Sequence, residues 1–185
     1  MKTNVYIDGF NLFYGALKDS PHRWLNIASL AQKLAPKGQI VRVRYFTARI
    51  SSRPGHPHAP LRQQSYLRAL ATLPGVSLHF GHFLITQPFM PLANPPATGP
   101  KTVKVIKTEE KGSDVNLATY LLVDAFTGDF DQAIVVSNDS DLCEPIRIVR
   151  DDFGLPVHVV NPHKTPSQAL KEGCVIASTA AGGSD

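Results

Sequence analysis

Four apolar residues, Ala133 to Val136, run directly into Ser137-Asn138-Asp139-Ser140-Asp141, and an apolar-periodic segment begins again at Leu142. A buried parallel strand has this appearance where it ends in an acidic loop and feeds a helix. In open α/β sheets the crevice beyond the carboxyl ends of the strands is where ligands bind. Two other segments bring acids to similar endings: Val5-Tyr6-Ile7-Asp8-Gly9-Phe10-Asn11 ends a strand on Asp8, and Lys111-Gly112-Ser113-Asp114 opens a helix with Asp114. Acids from distant parts of the chain, all at strand ends or helix starts, predict one metal-binding pocket.

The 185 residues suffice for one core. One domain is expected over 1–178, with a Pro-rich excursion at 87–100 and a disordered tail at 179–185. Charged residues make up 18% without blocky runs, which excludes the disordered class, and no apolar run is long enough to span a bilayer. The first residues enter a strand-like run that meets Asp8, leaving no room for a secretory apolar region, so a cytoplasmic protein is expected. Cys143 and Cys174 are too few and too far apart for a zinc site or a disulfide framework. A net charge of +4 beside a cluster of acids puts the positive charge around the acids, and long polyanions such as nucleic acid suit that arrangement.

β and α signals alternate along the chain. Strands are expected at 4–8, Gln39 to Thr47, Val76 to Ile85, Gln132 to Val136 and Pro156 to Val160. Helices are expected at Asn11 to Lys18, Ile27 to Leu34, Leu61 to Leu73, Ser113 to Phe126 and Leu142 to Asp152, with Ser113 as a cap. Val41, Val43 and Tyr45 alternate with Arg42, Arg44 and Phe46, which reads as a half-exposed strand. Lys101 to Lys107 reads as an edge-type β segment returning to the pocket. A last short helix at Pro166 to Glu172 and a strand at Cys174 to Ala177 complete the pattern. The fold class is α/β: a central, mostly parallel sheet flanked by helices in three layers.

Carboxylates repel one another in a pocket unless a cation sits between them. Oxygen ligands without His or Cys suit Mg²⁺ or Mn²⁺. Taken singly, each acid also has a structural reading. Asp141 and Glu144 fit a capping box, Asp114 fits a first-turn acid favoured by the helix dipole, and Asp8 fits a turn closed with Asn11. Asp139 has nothing sequence-local to pair with. No dinucleotide fingerprint, P-loop or nucleophile elbow occurs, and neither His79 with His82 nor His56 with His58 makes a zinc pair.

Three motifs taken in order, Val5-Tyr6-Ile7-Asp8-Gly9-Phe10-Asn11, Glu110 to Ala118 and Val136-Ser137-Asn138-Asp139-Ser140-Asp141-Leu142 with Pro145-Ile146, resemble the NYN domain family of PIN-like ribonuclease folds, particularly its bacterial LabA-like branch. The resemblance implies a PIN-type sheet with the first strand central. It implies that Asp8, Asp114, Asp139 and Asp141 form the metal pocket and act in catalysis, with Asn11, Ser137 and Asn138 in support. Two departures stand out. Asn138 occupies a position where many relatives have Gly, and Tyr120 stands six residues after Asp114 where many carry an acid. Asp124, ten residues on, lies about 80° away around the helix and does not take over.

The expected function is therefore a phosphodiesterase acting on RNA, with Mg²⁺ or Mn²⁺ activating water for in-line attack. Lys111, Arg42, Arg44 and Arg49 are the candidate phosphate contacts. Phe10, Phe13 and Tyr14 are either base-stacking or core residues. Tyr120 favours one alternative, a catalytically weak or inactive module that binds RNA or a nucleotide. A D-x-D phosphatase has less support, because Cys143 stands where that family wants Thr or Val. A homodimer is left open.

Overall fold

The computed structural model describes residues 1–52, 55–165 and 167. In chain order its elements are β1 (Lys2–Asp8), α1 (Gly9–Leu12) continuing as a π-helical turn (Phe13–Leu17), α2 (Ile27–Leu34), β2 (Gln39–Ala48), α3 (Ala59–Leu70) and β3 (Val76–Thr86). There follow β4 (Phe89–Pro91), β5 (Thr102–Lys104), β6 (Lys107–Lys111), α4 (Ser113–Phe126), β7 (Gln132–Val136), a 3₁₀ turn (Ser140–Leu142), α5 (Cys143–Arg147) running into a π-helical turn (Ile148–Asp152), and β8 (Val157–Val160). The expected elements at 166–172 and 174–177 and the tail lie outside the described residues, apart from the isolated position 167.

Six strands form one sheet in the order β6-β3-β2-β1-β7-β8. All its neighbouring pairs are parallel except β3 with β6. β1 sits inside the sheet because six of its seven residues are buried, as a near-continuous apolar run requires. The exposed edge β6, Lys-Thr-Glu-Glu-Lys, is the kind of charged strand that resists edge-to-edge pairing.

Period-two alternation sends side chains to two separate cores. Tyr6, Phe46, Ala133 and Val135 pack with Leu117 and Leu121 of α4 and Ile146 of α5 on one face. Val5, Ile7, Val43, Tyr45, Ile134 and Val136 pack with α2 and α3 on the other. β2 is therefore covered on both faces, not half-exposed as its arginines suggest. Arg44 turns under α4, where Asp124 accepts from its Nε at 2.7 Å and its Nη2 at 2.8 Å. The Tyr6 hydroxyl donates to the same carboxylate at 2.7 Å. One rung away, Asp129 accepts from Arg42 at 2.6 Å and from the Asn4 amide at 2.9 Å. The counter-charges arrive from α4 and the loop after it, eighty or more residues along the chain, so periodicity alone does not reveal them.

The stretch expected as one edge segment at 101–107 is divided. β5 pairs antiparallel with β4, and β6 pairs antiparallel with β3. The Pro-rich excursion at 87–100 contains β4 itself and most of the loop that joins it to β5.

The side chains of Arg44 and Asp124 keep only 13% and 6% of their exposure, so removing one partner strands a buried charge. Asp124→Ala is expected to cost about 3–5 kcal/mol in urea denaturation. Glu144→Ala, which breaks an exposed pair with Arg147, leaves the midpoint unchanged.

Candidate active site

Asp8 is the last residue of β1 and the cap of α1. Its Oδ1 accepts from the backbone N–H groups of Phe10 at 3.1 Å and Asn11 at 3.0 Å. Its Oδ2 accepts from the Asn11 amide at 2.6 Å and the Ser137 hydroxyl at 3.0 Å. Asn11 spans the gap to β7, because its Oδ1 accepts from the Asn138 N–H at 3.2 Å. Sequence-distant β1 and β7 are thus tied together at their carboxyl ends by Asn11, Ser137 and Asn138. Gly9 is required there, since a Cβ would stand 2.6 Å from the Tyr45 ring and 2.8 Å from the Phe46 carbonyl oxygen.

Asp139 follows Ser137 in the same turn and does have a local partner, contrary to its reading in sequence. Its Oδ1 accepts from the Asp141 N–H at 2.9 Å and caps the 3₁₀ turn. Glu144 does not close a capping box with Asp141 but pairs with Arg147 at 2.8 Å.

Asp114 comes from a third direction. The cap of α4 is Gly112, at φ +94°, not Ser113. The Glu110 side chain takes up the helix start, accepting from the Ser113 N–H at 3.2 Å and hydroxyl at 2.6 Å. This packing presses the chain against Gly81, where an added Cβ would collide with the Glu110 carboxylate and the Lys111 carbonyl. Glu110 is the site residue that sequence reasoning missed. Its only sequence signal is its place three residues before Ser113.

The acids feel one another. Burial raises the Asp114 carboxyl to about 7, and the charges of Asp8, Asp139, Glu110 and Asp141 add to that rise. Asp8 is also raised, chiefly by burial and then against its own hydrogen bonds, with Asp139 contributing. Among the described residues no Lys or Arg pairs with any of the four aspartates. No three acidic, imidazole or thiol groups among the described residues form a metal-holding cluster. The donor set, carboxylates with a neutral amide and a hydroxyl, has the hard-oxygen chemistry that Mg²⁺ and Mn²⁺ take.

Of the expected phosphate contacts, Arg42 and Arg44 are spoken for by Asp129 and Asp124. Arg49 follows β2 at the same sheet edge as Asp8, lies over the Phe80 ring at 4.8 Å and forms no ion pair among the described residues. Lys111 is half-exposed beside Glu109 at 3.4 Å. Phe10 meets Phe83 edge-on at 5.8 Å, while Phe13 and Tyr14 are exposed. Tyr120 is packed by Arg44, whose guanidinium lies 4.5 Å from its ring centre, and by the His79 ring, tilted 52° at 4.2 Å.

The NYN domain model matches residues 2–178. The chain belongs to the NYN domain family. As an NYN domain it is 31% identical over 186 residues to 6-hydroxy-3-succinoylpyridine 3-monooxygenase HspA of Pseudomonas putida (strain DSM 28022 / S16), an alignment covering 88% of this chain and 60% of that protein. The chain thus spans about three fifths of this relative's length. Its fold is shared with the crystal structure of VPA0982, a protein of unknown function from Vibrio parahaemolyticus, at TM-score 0.57 and 17% identity over 97% of this chain and 92% of that one.

A carboxyl whose pKa is raised by folding costs stability as pH climbs from its unfolded value toward the folded one. The unfolded chain then releases a proton that the native state retains. For Asp114 that window runs from about 4 to about 7. In metal-free protein, Asp114→Asn is expected to raise the denaturation midpoint at pH 8 and to leave it unchanged below pH 4. Gly81→Ala is expected to lower the melting temperature, because β6 and the start of α4 must shift to admit the methyl group.

Proposed function

We propose that this NYN domain is a metal-dependent ribonuclease. The observation that carries the reading is the gathering of Asp8, Asp114, Asp139 and Asp141, from three separate stretches of chain, at one edge of the sheet. Burial lifts Asp114 to about 7, and the charges of Asp8, Asp139, Glu110 and Asp141 add to the rise. Asp8, Asp114, Asp139 and Asp141 would hold Mg²⁺ or Mn²⁺, which supplies activation of water and neutralises charge on an in-line phosphoryl transition state. Asn11 and Ser137 orient the Asp8 carboxylate through its Oδ2, and the backbone N–H groups of α1 fix its Oδ1. Such pre-set orientation lowers the reorganisation needed when substrate binds. Arg49, just after β2, and Lys111, at the end of β6, reach the same edge and serve as phosphate contacts. The substrate is RNA, met in the cytoplasm.

Purified protein incubated with labelled RNA is expected to cleave it with Mn²⁺ and not in EDTA. Asp139→Asn should slow cleavage roughly 100-fold or more. RNA binding without cleavage in both proteins would instead make this chain a binding module, the outcome that Tyr120 in an acid's place favours.

A second reading comes from the relative named 6-hydroxy-3-succinoylpyridine 3-monooxygenase. Oxygen uptake dependent on a hydroxypyridine, unaffected by Asp139→Asn, would favour that activity over RNA cleavage.

A further inference from the structure

The chain has no Asp or Glu between positions 20 and 108, yet twelve of its 19 Lys and Arg fall there. Arg42 and Arg44 are neutralised by acids from outside that stretch, and Lys107 by Glu109 at 3.1 Å. Lys101 and Lys104 have no ion-pair partner among the described residues.

Both lysines stand on a two-stranded ribbon that grows out of the acidic edge. Asp8 is level with Phe46, which is level with His79, so β3 passes the site two residues before its last pairing with β2 at Gly81. From His82 to Thr86 it pairs only with β6. The ladder resumes as β4 with β5 and is bridged by the Val105 N–H to Pro88 carbonyl bond at 3.0 Å and the Leu92 N–H to Lys101 carbonyl bond at 2.9 Å. The eleven steps from Gly81 to Leu92 reach about 35 Å if extended. The returning strand delivers Glu110 and Asp114 to the site.

On this ribbon Phe89 and Lys104 are directly paired across the strands, so an aromatic ring and an ammonium share one face. Phe89 is 70% exposed and Ile106 74%. An aromatic ring and an ammonium exposed side by side, with no acid on the ribbon, suit a strand that offers a base and a phosphate in turn.

We propose that the β4–β5 ribbon is an RNA-binding arm. A strand leaving the acidic pocket passes along it, with Phe89 stacking on a base and Lys101 and Lys104 at phosphates. The direction of the strand rests on the ribonuclease reading, but the binding does not. A second copy of this chain is the poorer occupant, because two-fold apposition of the ribbons would bring lysines together with no acid between them.

The test is fluorescence anisotropy with a labelled 20-nucleotide oligouridylate in EDTA. Lys101→Ala with Lys104→Ala should weaken binding about tenfold and lower the salt slope by roughly 1.4, at about 0.7 per phosphate contact. Phe89→Ala should weaken binding about tenfold with the salt slope unchanged. Unaltered affinity in both variants overturns the arm. So does light scattering that shows a dimer dissociated by Phe89→Ala, which would assign the ribbon to self-association. Arm-dependent binding without Mn²⁺-dependent cleavage sinks only the ribonuclease reading. Asp139-dependent cleavage with arm-independent binding sinks only the arm.

Discussion

The buried guanidinium of Arg44 governs where α4 lies. A charge with so little solvent must be met by a fixed partner, and Asp124 meets it with both oxygens while the Tyr6 hydroxyl donates to the same carboxylate. Tyr120 and His79 close around the guanidinium. The carboxyl-terminal half of α4 is thereby pinned over the middle of the sheet. Its first turn, ten residues earlier, then lies at the end of β3, where the Phe80 carbonyl accepts from the Asn116 amide at 3.3 Å. Asp114 reaches the acidic edge as a consequence of an ion pair elsewhere on the same helix.

The same face therefore carries two kinds of carboxylate. Asp124 and Asp129 are neutralised by arginines, and Asp129 has its carboxyl held below the usual range by the hydrogen bond from Arg42. Asp8 and Asp114 have no cationic partner among the described residues, and their carboxyls rise. The first pair holds layers together. The second leaves unbalanced negative charge at a sheet edge, which is the electrostatic condition for taking up a cation.

The position of Tyr120 follows from this division. An acid there would face Arg44 and compete with Asp124 for it. An aromatic ring stacks on the guanidinium and leaves the Asp124 pair intact. Tyr120 thus has a packing role on this sheet, and Glu110 stands at the edge as a fifth carboxylate.

Local chemistry made much of this legible in the residues. Apolar runs that end on Asp8 and Asp139 mark strands whose exits carry acids, because a buried strand must surface where polarity begins. The stripe along Ser113 to Phe126 marks a helix, because a 3.6-residue period has one buried face. The partners of Arg42 and Arg44, the capping of α4 by Glu110, the hidden position of β2 and the splitting of 101–107 into two ladders were decided only in three dimensions. Each depends on which groups from distant stretches meet, and a charge or a strand is assigned to surface or interior by its partner rather than by its own residue type.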